Sequence, residues 1–308
     1  MSDLYIYSFY RFKNIKNKKT IKLKIEQFIS NKVIRGTILI ADEGVNGSIS
    51  GSQDDLSNTI KFIKKLLCIK KIELKINLVE FLPFNKMKIR LKREIVSLGK
   101  GVITFSQNKN NFVDPDKWDN FIKQKKIKLI DLRNTYEIDI GNFKSSINPN
   151  TKNFREFPNK FKKMNIGKKD IIAMYCTGGI RCEKAAGYLN QKGYRNVYQL
   201  KGGIINYFSY LKNKKIKSHW NGECFVFDNR VTINNELKKG NYLQCYGCRS
   251  PITKKDTKSK KYNKGVTCHK CYDIRTKDQK ERSLNRQLQI YNADLKNENH
   301  PFKKIKHL

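Results

Sequence analysis

No stretch of this sequence approaches the ~20 consecutive apolar residues that a helix needs to cross a bilayer, so a membrane-spanning helix is excluded. An apolar leader core is missing as well. Asp3 and Arg11 interrupt the start where a signal peptide would need one, and a cytoplasmic location is expected. Acidic residues are scarce: 27 Asp and Glu stand against 65 Lys and Arg, leaving a formal net charge of +38. No internal repeat is evident. A flavin or nicotinamide fingerprint is also lacking, so no motif names an electron donor. Eight cysteines could suggest disulfides, but four fall in two Cys-x-x-Cys pairs and one sits on a glycine-rich loop, which is the pattern of reduced, working thiols.

What is present is a chain of 308 residues, enough for two or three domains with separate cores at ~100 to 150 residues each. Its basic surface attracts polyanions, because Lys and Arg displace the counterions condensed on phosphates. Nucleic acid is the expected partner. The charge alone does not prove it: Lys is spread along the whole chain together with Asn and Ile, as drift of an AT-rich genome would leave it.

The first hundred residues read as strand, helix, strand, strand, helix, strand. Asp3–Tyr10 is aromatic and β-rich, Ile21–Ser30 is helix-like, and Ile34–Ala41 and Val45–Ser50 are strands joined through Asp42-Glu43-Gly44. Ser52 caps a helix with Ile60, Ile63 and Leu67 on one face, and Ile72–Phe81 is a strand. That order predicts a ferredoxin-like α+β sandwich over 1–100, with Met87–Val96 as a further strand or exit segment. A polar stretch, Gln107–Asn111, separates it from a region of alternating strands and helices over 110–212. Strands at Lys128–Leu132, Ile171–Tyr175 and Val197–Leu200 alternate with helices near Asp116–Lys125, Cys182–Lys192 and after Gly203, which predicts a mostly parallel sheet. Chemistry in such sheets gathers at the carboxyl ends of the strands, where Asp131-Leu132-Arg133 and Cys176 both stand. Trp220–Ile233 reads as a hairpin within a third region, 213–280, and a basic helical tail over 281–308 ends in a frayed Pro301–Leu308. The fold class is thus multidomain, α/β and α+β.

Cys176-Thr177-Gly178-Gly179-Ile180-Arg181 runs from an apolar strand into a helix. A loop of small residues there can turn backbone N–H groups inward and form an anion cradle at the helix N-terminus. The helix dipole and the Arg181 guanidinium both favour a negative sulfur, so Cys176 is the candidate nucleophile, as thiolate or persulfide. Gly178 and Gly179 allow unusual backbone angles and leave room for substrate. The bland alternative is a buried structural cysteine. Cys182 is either a resolving thiol or a helix-packing residue, and Cys68 and Cys224 read as core. Asp131, Arg133 and Glu137 have weaker claims: Arg133 steers a phosphate or holds the loop's geometry, or the group is an internal salt bridge supporting the fold. For Asp42, Glu43 and Asn46, substrate contact stands beside a plain polar turn.

Cys245-Tyr246-Gly247-Cys248 and Cys268-His269-Lys270-Cys271 form two knuckles whose separation suits one tetrahedral thiolate site, with structural zinc as the leading metal and an iron–sulfur cluster as the rival. The region around them has too few apolar residues to fold unaided. His269 reads as a surface residue, since four sulfurs complete the shell. Lys254, Lys255, Lys258, Lys260, Lys261 and Lys264 with Tyr262 are either an RNA-gripping surface or a solvated loop.

Leu129-Ile130-Asp131-Leu132-Arg133, Tyr136-Glu137, Gly141-Asn142-Phe143 and the Cys176 loop resemble a rhodanese domain, whose chemistry passes sulfur through a cysteine persulfide. The related phosphatase loops are one residue longer, so phosphatase activity is not expected. Further segments extend the likeness over nearly the whole chain: Gly36–Gly47, Phe154-Arg155-Glu156-Phe157-Pro158, Trp220–Asp228 and both cysteine pairs look like the bacterial tRNA uridine(34) hydroxylase family. The resemblance implies an acylphosphatase-like, that is ferredoxin-like, first domain, a rhodanese-like catalytic domain and a zinc-ribbon-like module. It also implies oxygen-dependent hydroxylation of C5 of the wobble uridine, with Cys176 as catalytic cysteine and Gly178, Gly179 and Arg181 as its cradle. The implied partner is tRNA at its anticodon loop, and no obligate protein partner is evident. Two rivals stay open at this point: a sulfurtransferase working through a Cys176 persulfide, and a non-catalytic RNA-binding protein.

Overall fold

The computed structural model describes residues 3–101, 103 and 111–298. The chain divides into two compact units, Met1–Cys224 with Asn234–Lys238, and Phe225–Ile233 with Lys239–Leu308.

In the first unit, β1 (Leu4–Phe12), α1 (Lys18–Ile29), β2 (Arg35–Ala41), β3 (Gly44–Ser52), α2 (Gln53–Leu66), β4 (Glu73–Val79) and β5 (Met87–Leu91) follow in the expected order. They form one sheet, β4-β1-β3-β2-β5, antiparallel except for β2 and β5, where Ile38 lies opposite Ile89. Ser52 caps α2 by accepting from the Asp55 amide at 3.2 Å. The core under the helices holds Tyr7, Phe9, Ile25, Ile38, Ile40, Val45, Ile49, Leu56 and Ile63. Burial along β1 does not simply alternate, and at its end Tyr10 and Phe12 are covered on the other face, with Ala41 and Ile95, by Ile180. Cys68 departs from the core reading. It is exposed, with a left-handed φ of 48°, because α2 has ended and Leu67 and Ile69 on either side take the buried positions.

β6 (Asn111–Val113), α3 (Pro115–Ile122), β7 (Ile127–Asp131), α4 (Thr135–Ile138), β8 (Gly141–Phe143), α5 (Phe157–Lys162), β9 (Ile171–Tyr175), α6 (Ile180–Gln191), β10 (Val197–Leu200) and α7 (Gly203–Lys214) make the second half of this unit. The sheet runs β6-β10-β9-β7 with every neighbouring pair parallel. Of the expected polar separator, residues 107–110 lie outside the described residues, and Asn111 opens edge strand β6. Parallel strands bury both faces, and Ile172, Ala173, Met174 and Tyr175 of β9 are all buried.

The expected hairpin over Trp220–Ile233 is only partly present. Its first segment, β11 (Trp220–Gly222), pairs antiparallel with β8 instead, Trp220 opposite Phe143. The physical reason is the indole: Trp220 stacks over the buried Arg133 guanidinium at 4.8 Å and meets Phe143 edge-on, contacts that a solvent hairpin would not supply. The turn that remains follows β12 (Cys224–Phe225) and precedes β13 (Thr232–Ile233), where the Val226 amide donates to Val231.

In the second unit, β14 (Leu243–Gln244) and β15 (Pro251–Ile252) pair around the first knuckle. A long helix, α8 (Lys277–Leu295), starts at a capping box in which Thr276 and Gln279 bond reciprocally. The frayed end expected at Pro301–Leu308 lies outside the described residues.

Candidate active site and cysteine cluster

Cys176 stands at the carboxyl end of β9, and the loop after it is fixed from behind by α7. The amides of Ile204 and Ile205 donate to the Cys176 and Thr177 carbonyls at 3.0 and 3.1 Å. Gly179 has φ +95°, which favours glycine, and its N–H donates to the Cys176 sulfur at 3.1 Å. Beside Gly178, by contrast, there is open space where a side chain would be. Ile180 turns away to pack on Tyr10 and Phe12.

The sulfur is only 1% exposed. Burial pushes its pKa up, but the Cys182 thiol and amide, the Arg181 charge and the Gly179 amide outweigh this and hold it at about 6. Cys182 answers in the opposite sense: burial and its bond to Cys176 push it well above an ordinary thiol. It acts as the donor to the sulfur, a role between the resolving and packing readings.

Arg181 is not aimed at the sulfur alone. Its guanidinium makes a forked pair with Glu137, Nη1 to Oε2 at 2.9 Å and Nη2 to Oε1 at 3.2 Å, and Nη1 also reaches the Leu132 carbonyl. Glu137 is itself buried, and accepts from the Asn134 amide at the start of α4. A carboxylate that sequence reasoning ranked low is therefore what orients the loop's arginine. Asp131 and Arg133 form a wholly buried brace beside it: Nε and Nη2 reach the two carboxylate oxygens at 3.0 and 2.6 Å, and the remaining donors go to the Glu137 and Gly141 carbonyls. With all three of its nitrogens engaged and no exposed surface, this guanidinium forms the internal salt bridge and braces the loop's neighbours.

A cavity of about 380 Å³ opens beside the loop, lined by Ser97, Asn134, Asn153, Phe154, Arg155 and Arg181. The first domain also reaches the loop. Tyr10 donates to Glu183 at 3.0 Å, and the Lys75 ammonium lies 5.5 Å over the Tyr10 ring. Burial lowers the Lys75 pKa and raises that of Glu183, and both Tyr10 and Lys75 feel the Cys176 charge. The only sequence signal for these residues was that Tyr10 ends an aromatic strand.

Asp42, Glu43 and Asn46 each have a partner within the protein. Asp42 pairs with Lys18 at 2.7 Å and Asn46 donates to the Ile95 carbonyl at 3.0 Å. Glu43 accepts from Lys184, an ammonium of α6 with no exposed surface that also bonds Glu94 and, at 2.7 Å, the Val96 carbonyl. Burial works against the charge on Glu94, but Lys184 and the Leu98 and Gly99 amides hold its pKa below the usual range.

In the second unit, Cys245, Cys248, Cys268 and Cys271 bring four sulfurs within 4.8 Å of one another. The Cys245–Cys271, Cys248–Cys268 and Cys268–Cys271 separations are 4.0, 3.8 and 3.9 Å. Thiolates at ~2.3 Å from one tetrahedral ion stand ~3.8 Å apart, so the donor set fits a metal such as zinc. The Cys268 amide points at the Cys271 sulfur at 3.3 Å, the knuckle arrangement that steadies a thiolate. His269 stays outside the set, 3.5 Å from Asp256. Tyr262 packs on the cluster and is half-buried.

Residues 4–95 match the UPF0176 acylphosphatase-like domain, and residues 114–209 match the rhodanese-like domain. A tRNA uridine(34) hydroxylase of Pelagibacter ubique is 47% identical over 300 residues, 97% of this chain and 98% of that protein. The chain belongs to the tRNA uridine(34) hydroxylase family. Among solved structures, a rhodanese-like domain from Anabaena is 16% identical over 37% of this chain and 80% of that one, with a TM-score of 0.31. A rhodanese-like domain protein from Staphylococcus aureus is 21% identical over 32% of this chain and 90% of that one, with a TM-score of 0.27. At these scores the likeness carries no further argument. As for membranes, no helix among the described residues is long and apolar enough to cross one.

Proposed function

We propose that this protein hydroxylates C5 of the wobble uridine, position 34, of tRNA, using molecular oxygen, with Cys176 as the reacting sulfur. The observation that carries this reading is identity over nearly the full length to a named tRNA uridine(34) hydroxylase. The site supplies a chemical rationale. A sulfur with a pKa of about 6 is largely ionised at neutral pH. As thiolate it can add to C6 of the base and make C5 electron-rich; as persulfide its outer sulfur would be the nucleophile. Replacing the C5 hydrogen by a hydroxyl with oxygen consumes two electrons and two protons and yields water, so a separate reductant is required. Arg181 holds the loop's charge, Glu137 fixes Arg181, and the open space beside Gly178 gives the base an approach. A wobble base in an anticodon loop needs little unstacking to enter such a pocket.

The four cysteines of the second unit would hold a zinc ion, which when bound supplies folding energy to a region poor in apolar residues. In this plan 1–100 and 213–280 position the RNA, 110–212 carries the reaction and 281–308 extends the basic surface, all in the cytoplasm. The test is nucleoside analysis of unmodified tRNA incubated with the purified protein and a reductant under air and under argon. New 5-hydroxyuridine at position 34 under air only is expected; formation under argon, or none in either, overturns it. The match of residues 114–209 to rhodanese-like domains favours one second reading, sulfur transfer from a Cys176 persulfide. It predicts thiosulfate turnover without RNA or oxygen.

A further inference from the structure

The second unit contains a cavity that none of the chemistry above uses. About 380 Å³ in volume, it lies between the first knuckle and the start of α8 and is lined by Gly247, Arg275, Gln279, Arg282, Ser283 and Arg286. Three guanidinium groups thus face one space, and the lining includes no carboxylate. The partners of two of them are neutral. Arg275 bonds the Gly247 carbonyl, the Gln279 carbonyl at 2.5 Å and the Ser283 hydroxyl at 2.7 Å. Arg286 reaches the Tyr246 and Gly265 carbonyls at 3.4 Å. Among the described residues no acidic side chain pairs with any of the three, and the buried Arg275 Nε lacks a hydrogen-bond partner.

Like charges gathered without a counter-charge repel one another, so an anion entering this space is favoured. The choice of residue points the same way. Of the 65 cationic residues, 13 are arginine, and three of those stand here. Composition drift toward lysine is resisted where a planar fork of donors is needed, and that fork fits phosphate. Arg282 and Arg286 are four residues apart on one face of α8. We propose that Arg275, Arg282 and Arg286 form a seat for a backbone phosphate of the RNA substrate. The inference rests on the reading above that the substrate is tRNA, and it assigns to the cysteine module a specific grip in addition to its general charge.

The full-length protein and unmodified tRNA test it, with binding measured by fluorescence anisotropy between 50 and 200 mM salt, a range in which counterion release is read directly as ~0.7 to 0.9 of slope per phosphate contact. Arg282→Gln and Arg286→Gln should each lower the slope of log K against log salt by about 1 and weaken binding ~5-fold or more at the upper salt. The KM for tRNA should rise by a similar factor in both variants. Arg282→Lys should restore the slope but not the full affinity, because it keeps the charge and loses the fork. Lys125→Gln, at an exposed lysine of the first unit, controls for loss of one charge from a strongly basic chain. Equal effects of Lys125→Gln and Arg282→Gln overturn the seat, and so does an unchanged slope in Arg282→Gln. Millimolar inorganic phosphate that binds the wild type at these arginines but leaves tRNA binding unaffected also overturns it. Failure of the hydroxylase reading is separately visible, as intact binding and slope without any 5-hydroxyuridine. Arg275 is left in place because its bond to Gly247 ties the knuckle together.

Discussion

The Cys176 loop and the four-cysteine cluster both control sulfur, by opposite means. At Cys176 one sulfur is kept charged by amides, a thiol and a guanidinium, all held by a large apolar core on both sides. In the cluster, Cys245, Cys268 and Cys271 are most of the core, with Ile252 and Tyr262 beside them. Protein packing makes a reactive site in the first case. In the second, ligation substitutes for packing. A sulfur surrounded by the chain's own dipoles is available to substrate, whereas four sulfurs closed on a metal are spent on folding.

The contrast is broken most directly by Cys176→Ser, which should lower 5-hydroxyuridine formation by at least ~10³-fold, since a hydroxyl is scarcely ionised at neutral pH. Mass spectrometry of tRNA from cells carrying only that variant is the check, and undiminished product would mean that Cys176 is structural. Chelation at neutral pH under reducing conditions should act on the other region alone. Limited proteolysis is expected to cut within 239–298 while the unit built on residues 1–224 persists, and simultaneous loss of both would erase the distinction. Lys184→Met should cost about 3 to 5 kcal/mol in urea unfolding, because Glu43 and Glu94 lose their buried counter-charge.

Arg181→Gln sharpens the electrostatic part. Cys176 ionises below the usual thiol range, so its alkylation rate in the wild type should rise with pH through a midpoint of about 6. Removing the positive charge favours the neutral thiol, and the midpoint should move up by ~1 pH unit or more. A midpoint that stays put would transfer the whole effect to the amides and Cys182. The smallest change is Tyr10→Phe, which removes one hydrogen bond to Glu183 and should cost about 1 kcal/mol by thermal unfolding.

Local patterns made much of this legible. The order of strands and helices, the Ser52 cap and the two Cys-x-x-Cys pairs each depend on neighbours within a few residues, and the structure contains all of them. What the sequence hid was pairing across distance. Glu137 meets Arg181 forty-four positions away, Lys184 meets Glu43 across 141, and no local spacing announces either. Trp220 was misplaced for the same reason: alternation showed a strand, but not that its partner would be β8. Cys68 illustrates a smaller failure, where apolar periodicity was carried one turn beyond the helix that produced it.

The ammonium of Lys184 has a consequence for anyone who would dissect this protein. It belongs to the rhodanese-like half, yet both carboxylates that neutralise it come from the segment before residue 100. Cut at the boundary between the two family matches, the excised fragment would carry a stranded cation on what had been an interior helix face, along with the bared Ile180. Such a truncation should come out insoluble or misassembled, so the chain is better regarded as an inseparable graft than as beads on a string.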